Sequence, residues 1–137
     1  NNREDMVFLI RELKRHRDKE GLLMANFVDF DSMYGHRRNA QGYAQCLEDF
    51  DAMLGELLPL LQDDELLMIT SDHGNDPTMS GTDHTREEVP LVAYSPGLTE
   101  STDLGTRLTF ADLGQTIMDN FDAGKLPFGT SFLNDLK

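Results

Sequence analysis

The chain is predicted to be an α/β protein built on a parallel-type sheet with helices on both faces, and three observations predict it. Apolar runs of strand length stand at Leu22–Val28, Leu66–Ile69 and Val89–Ser95. Between and around them lie stretches whose apolar residues recur at helical spacing. The first two runs end in short polar loops that each hold Asp, Gly and His. Strands alternating with helical stretches are the pattern of β-α-β units, whose parallel strands are buried and read as near-continuous apolar runs.

Taken in order, Asp5–Leu13 reads as a helix, with Met6, Val7, Ile10 and Leu13 on one face. The basic run Lys14, Arg15, His16, Arg17 falls in its last turn, where cations favour the helix dipole. His16 is accordingly a surface residue without a site role, and Gly21 stops the element. Leu22–Val28 follows as a strand, then Asp29, Phe30 and Asp31, with Tyr34, Gly35 and His36 close behind. Asp31 and His36 are five apart, too irregular for one helix face but suited to a loop that wraps an ion. Singly, each is ordinary turn chemistry.

Asn39 caps the next helix. Tyr43, Leu47, Phe50, Leu54, Leu57 and Leu61 are spaced alternately by four and three and form its core stripe. Gly55 and Pro59 kink or split it near its end. Cys46 lies at the margin of the stripe as inert filler. The strand at Leu66 then follows, so strand, helix and strand make a right-handed crossover. Thr70 and Ser71 end that strand and Asp72, His73 and Gly74 come at once, at the carboxyl edge where open α/β sheets bind ligands. A polar loop after a core strand explains the Asp-His-Gly triplet equally well. His84 lies eleven residues beyond His73, near enough in sequence to fold back over the same edge. Pro90 marks the third strand as an edge strand or places itself in the first turn. Thr109–Phe121 is a final helix, capped by Thr109 and apolar along Leu113, Ile117 and Phe121. The tail from Leu126 is apolar enough to pack but shows no period.

The 137 residues are the size of one domain, residues 1–137. Twelve Lys and Arg against 25 Asp and Glu give a formal charge of −13, which argues against nucleic acid or an anionic membrane as partner. Cys46 is the one cysteine, which forbids an internal disulfide and suits a reducing, cytoplasmic setting. No apolar run reaches membrane length.

The set Val28-Asp29-Phe30-Asp31 with Tyr34-Gly35-His36-Arg37-Arg38, then Ser71-Asp72-His73-Gly74, then Gly81-Thr82-Asp83-His84-Thr85-Arg86-Glu87 resembles the phosphopentomutases. These are two-metal phosphoryl-transfer enzymes of the alkaline phosphatase superfamily. The resemblance continues through Val89-Pro90-Leu91 to Gly129-Thr130-Ser131-Phe132, and so covers nearly the whole chain. Asp-His-Gly fits the whole superfamily, whereas the other two pieces are narrower. Cofactor-independent phosphoglycerate mutases share Asp-His-Gly-Asn but differ around the other histidines.

The resemblance implies that Asp31, His36 and His84 bind one Mn²⁺, and that Asp72 and His73 bind a second. The oxygen and nitrogen donors agree with Mn²⁺ without excluding Zn²⁺. It further implies a pentose phosphate substrate, a sugar bisphosphate activator and a phosphothreonine carrier. Ribose 1-phosphate and ribose 5-phosphate, or their deoxy forms, would be interconverted. The family places one more ligand Asp and the phosphorylated Thr near its N-terminus, and inserts a cap domain after them. None of these is found in the 137 residues, and Thr70, Thr82 and Thr85 do not sit in the nucleophile motif, so no catalytic residue is assigned. The chain is therefore expected to be the C-terminal portion of the catalytic core, silent in catalysis by itself, and either self-associating or retaining an N-terminal segment. Arg37, Arg38 and Arg86 are open between phosphate contact and surface ion pairing. Another superfamily phosphatase or mutase, or a metal-binding module without chemistry, are the alternative functions.

Overall fold

A computed structural model describes all residues, Asn1–Lys137. The chain forms helix α1 (Asn2–Arg15), a π-helical turn (Phe30–Gly35), helix α2 (Ala40–Leu57) running into a 3-10 turn (Leu58–Leu60), strands β1 (Leu67–Thr70) and β2 (Leu91–Tyr94), helix α3 (Ala111–Asn120) and a 3-10 turn (Leu133–Asp135). These elements fall into two compact units, Asn1–Leu61 with His73–Val89, and Gln62–Asp72 with Pro90–Lys137.

In the first unit α1 opens with a capping box. The Asn1 side chain accepts from the Glu4 N–H and the Glu4 side chain answers to the cap backbone, so orphan donors of the first turn are satisfied. Met6, 1% exposed, is the buried anchor of its apolar face. His16 sits at the C-cap, with Nε2 3.4 Å from Glu12 on the same helix, in the surface role expected of it. Asn39 caps α2 by accepting from the Gly42 N–H at 2.9 Å. The helix passes through Gly55 unbroken and tightens to a 3-10 turn at Pro59, where the missing N–H of proline ends the α-helical ladder.

The buried face of α2 is rotated from the predicted stripe. Cys46, Met53 and Leu57 are buried while Leu47 is 51% exposed. The rotation has two causes. Asn2 of α1 donates to the Cys46 sulfur at 3.4 Å, which draws that side of the helix inward. Phe50 meets Phe27 edge-on at 5.0 Å and Phe30 at 5.6 Å, and Tyr43 meets Phe30 at 5.8 Å. Leu47 is left at the solvent margin. Burial, with the Asp29 charge adding, pushes the Cys46 thiol up, which keeps it unreactive.

Leu22–Val28, expected as a strand, joins no sheet: residues 22–27 form no regular element and Val28 stands in a turn, with Met24 88% exposed. An apolar run becomes a strand only when a neighbour completes its ladder, and no strand is hydrogen-bonded to it. With that strand absent, the predicted β-α-β crossover is absent too.

In the second unit β1 and β2 form a two-stranded antiparallel sheet, Leu67 opposite Tyr94 and Thr70 opposite Leu91. The expected parallel sheet with helices on both faces is corrected to this pair. Parallel strands need a crossover, usually helical, and the connection from Ser71 to Pro90 holds no helix. The broader α/β class stands.

α3 begins at Ala111 after Phe110, and the Thr109 hydroxyl accepts from the Ala111 N–H at 3.2 Å. Its buried residues are Asp112, Gln115 and Thr116, a polar set beside the predicted apolar face, and Phe121 is exposed. These side chains pair the backbone of the tail, which has no ladder of its own. Asp112 accepts from the Thr130 N–H and from Arg107 Nε, both at 2.8 Å. Gln115 accepts from the Leu126 N–H at 2.8 Å, and Thr116 Oγ1 from the Phe132 N–H at 3.0 Å. The tail packs by these bonds and by Phe132, which is fully buried.

The Thr130 N–H first, and the Arg107 guanidinium after it, hold the Asp112 carboxyl below the usual carboxylate range, against the effect of burial. A carboxyl depressed in the folded state adds stability above its unfolded value of about 3.9, and this is lost as pH falls through the folded value. Asp112→Asn is therefore expected to cost about 1–3 kcal/mol near pH 7. Urea unfolding of both proteins should show that gap narrowing towards pH 3. A gap equally wide at both pH values refutes this role.

Candidate metal centre

The π-helical turn explains how a five-residue spacing yields one site. The His36 N–H donates to the Asp31 carbonyl at 3.0 Å, an i to i+5 bond that widens the turn and brings residues five apart onto one side. Asp31 Oδ2 lies 3.2 Å from His36 Nε2. The sequence suggested a wrapping loop, and the wrapping element is this single wide turn.

His84 arrives from the other side. After β1 the chain doubles back, Gly74 bridging to Thr85 as an isolated antiparallel pair. The Asp76 N–H donates to Thr85 Oγ1 at 2.6 Å. A Cβ on Gly74 would press on the Thr85 carbonyl and on Glu87, so the close pairing needs glycine. Within this loop Asp76 accepts from the hydroxyl and N–H of Thr78, which hold its carboxyl below the ordinary value. His84 Nε2 ends 3.3 Å from Asp31 Oδ1 and 3.1 Å from His36 Nε2.

One ligand atom each from Asp31, His36 and His84 lies within 4.8 Å of the others; Asp31 and His36 are half-buried and His84 is exposed. His73 stacks face to face on His84, centroids 3.7 Å apart at 17°, while His36 and His84 lie 4.7 Å apart at 34°. Of the five predicted ligands, then, three form one group. His73 stands beside that group, outside it. Asp72 is the last residue of the Gln62–Asp72 segment of the other unit.

The hydrogen bonds decide what the group can hold. His36 Nδ1 faces the Thr82 carbonyl at 2.5 Å. A carbonyl only accepts, so Nδ1 carries the proton and the neutral ring presents a bare Nε2. That nitrogen faces a carboxylate and the Nε2 of a second histidine. Lone pairs crowded together this way call for a shared proton or a cation, and the carbonyl-anchored ring is the arrangement that metal-binding histidines take. One carboxylate with two imidazoles suits Mn²⁺ or Zn²⁺. The donor set fits a divalent metal.

Sequence reasoning missed two supporting groups, the Thr82 carbonyl and the Asn75 amide, which donates to Asp31 Oδ1 at 2.6 Å, and left the role of Arg38 open. Asn75 belongs to the Asp-His-Gly-Asn run and was visible there without a role. Thr82 contributes only a carbonyl, which every residue has.

The family described as Metalloenzyme superfamily matches residues 1–125. The chain belongs to this superfamily. Metal-dependent chemistry is thus the setting of its members, and the alkaline phosphatase-like expectation agrees. A phosphopentomutase of Levilactobacillus brevis is 56% identical over 120 residues, covering 88% of the chain and 30% of the relative. The chain thus spans about a third of the length of that curated relative. None of the superfamily member's helices is long and apolar enough to cross a membrane.

Proposed function

We propose that the protein acts as a phosphopentomutase, interconverting ribose or deoxyribose 1-phosphate and 5-phosphate, and that this chain is the C-terminal, metal-holding portion of its core. The observation that carries the reading is the convergence of Asp31, His36 and His84, with His36 Nδ1 held by the Thr82 carbonyl. The 56% identity to a phosphopentomutase supports the choice of reaction. Asp31, His36 and His84 hold one Mn²⁺, and Asp72 and His73 contribute to a second, as the motifs imply. Bound metal stabilises charge on the transferring phosphoryl group.

The chain's own residues supply the frame for that chemistry. Thr82 and Asn75 orient His36 and Asp31, and the Gly74–Thr85 pair delivers His84. A sugar bisphosphate is the activator, a pentose phosphate the substrate and the cytoplasm the setting. The exposed apolar side chains of Leu22–Val28 support either self-association or cover by a further segment, since a run of exposed apolar residues marks an interaction surface.

The test is a coupled assay of the full protein with Mn²⁺ and a bisphosphate activator. Ribose 5-phosphate should form from ribose 1-phosphate, with no exchange between 2- and 3-phosphoglycerate. Phosphoglycerate exchange in its place would transfer the assignment to the phosphoglycerate mutases.

A further inference from the structure

An arginine beside a phosphoryl-transfer site suggests, on sequence alone, an anion ligand, and Arg38 is two residues from His36. Its hydrogen bonds speak otherwise. The Arg38 Nε donates to the Gly81 carbonyl and Nη2 to the Asp83 carbonyl. Nη1 donates to Asn75 Oδ1 at 2.8 Å and to the Asp76 carbonyl at 2.7 Å. Guanidinium has five N–H donors, and four acceptors take up four of them. No parallel pair remains for the fork that grips a phosphate. The residue also holds a left-handed backbone, φ 51°, uncommon for a side chain of this size.

All four acceptors lie in the Asn75–Asp83 loop, and His84 follows directly. Asn75 passes the restraint on. Arginine only donates, so the amide turns Oδ1 to Arg38, and its Nδ2 then donates to Asp31 Oδ1 at 2.6 Å. Gly35 makes room for this, since a Cβ there would collide with the Asn75 amide.

We propose that Arg38 and Asn75 are positioning residues for the metal centre: Arg38 fixes the loop that delivers His84, and Asn75 fixes the Asp31 carboxylate. The proposal rests on the metal reading of the Asp31, His36 and His84 group. It separates Arg38 from substrate binding and gives the Asn of the Asp-His-Gly-Asn run a specific task. It also makes the two residues one unit, because Asn75 is oriented by Arg38.

The experiment titrates Mn²⁺ into the full protein and into its variants, reading free Mn²⁺ by electron paramagnetic resonance, with circular dichroism recording the fold. Arg38→Ala and Asn75→Ala should each bind Mn²⁺ about 10–100-fold more weakly, the usual loss for an outer partner of a metal ligand. Arg38→Lys should resemble Arg38→Ala, because one ammonium cannot span four acceptors. The double variant should bind about as weakly as the weaker single one. Free guanidinium ion should restore affinity to Arg38→Ala and leave Asn75→Ala unchanged. Gly35→Ala should repeat the Asn75→Ala loss. Should Arg38→Ala fail to fold, Asn75→Ala keeps the test, since three backbone acceptors still hold Arg38.

Wild-type affinity in Arg38→Lys, or losses that multiply in the double variant, overturn the relay. Weakened binding of inorganic phosphate with Mn²⁺ affinity intact overturns it in favour of an anion site. An unaltered protein that binds no Mn²⁺ sinks the metal reading and the relay together, whereas binding that every variant retains sinks the relay alone.

Discussion

Asp31→Ala should lower Mn²⁺ affinity by more than about 100-fold, because loss of an outer partner alone costs about 10–100-fold and this change removes a ligand. Asp31 is the sole anion of the group, and both histidines converge on it at 3.2 and 3.3 Å. Without it the two Nε2 atoms, 3.1 Å apart, present only neutral donors to a doubly charged ion. The thermal stabilisation that bound metal confers on the folded state should vanish with it. His84→Ala should follow closely, and His16→Ala should bind as the unaltered protein does, since His16 sits on α1 beside Glu12. The measurement is calorimetric titration with Mn²⁺ on the four proteins. An Asp31→Ala affinity within tenfold of the unaltered one removes Asp31 from the site.

Phe132→Ala should cost the second unit about 3–5 kcal/mol, the range for emptying an aromatic from a close-packed position. The ring is 0% exposed, and the Arg107 guanidinium sits over it at 5.5 Å. The same arginine donates to Asp112 and to the Thr130 carbonyl, so the cavity would open beside the bonds that tie the tail to α3. Phe132→Leu, which refills much of the volume, should cost clearly less. Urea unfolding followed by circular dichroism reads both. A cost under about 1 kcal/mol for the alanine variant would mean that the tail is not seated as described.

Much of this was legible because it rests on local rules. The helices announced themselves by period and caps, as at Asn39. The strands at Leu67 and Leu91 showed as short apolar runs bounded by Asp63-Asp64 and by Pro96-Gly97. What failed was pairing. The composition of Leu22–Val28 shows a wish for burial but names no partner. The direction of β2 depends on whether the connection before it carries a crossover helix, and it carries none, which strand composition does not reveal. In the site, the residue types of Asp31, His36 and His84 drew attention by themselves. The i to i+5 bond that joins the first two is a backbone event with no side-chain pattern to betray it. Arg38 was ambiguous for a related reason: a guanidinium satisfied by carbonyls looks, in a sequence, like one waiting for phosphate.

The stacked imidazoles have a spectroscopic consequence. The protein has four histidines, and three of them, His36, His84 and His73, lie in one pile with faces as close as 3.7 Å. Each ring stands in the magnetic field of its neighbour's circulating electrons, so their proton resonances are displaced from ordinary positions. His84, in ring contact with each of the other two, feels both neighbours. His16, off on its helix, keeps an unshifted signal and serves as an internal standard. A one-dimensional proton spectrum thus reports the packing of the pile with no added probe, and a diamagnetic ion such as Zn²⁺ could be followed into place signal by signal.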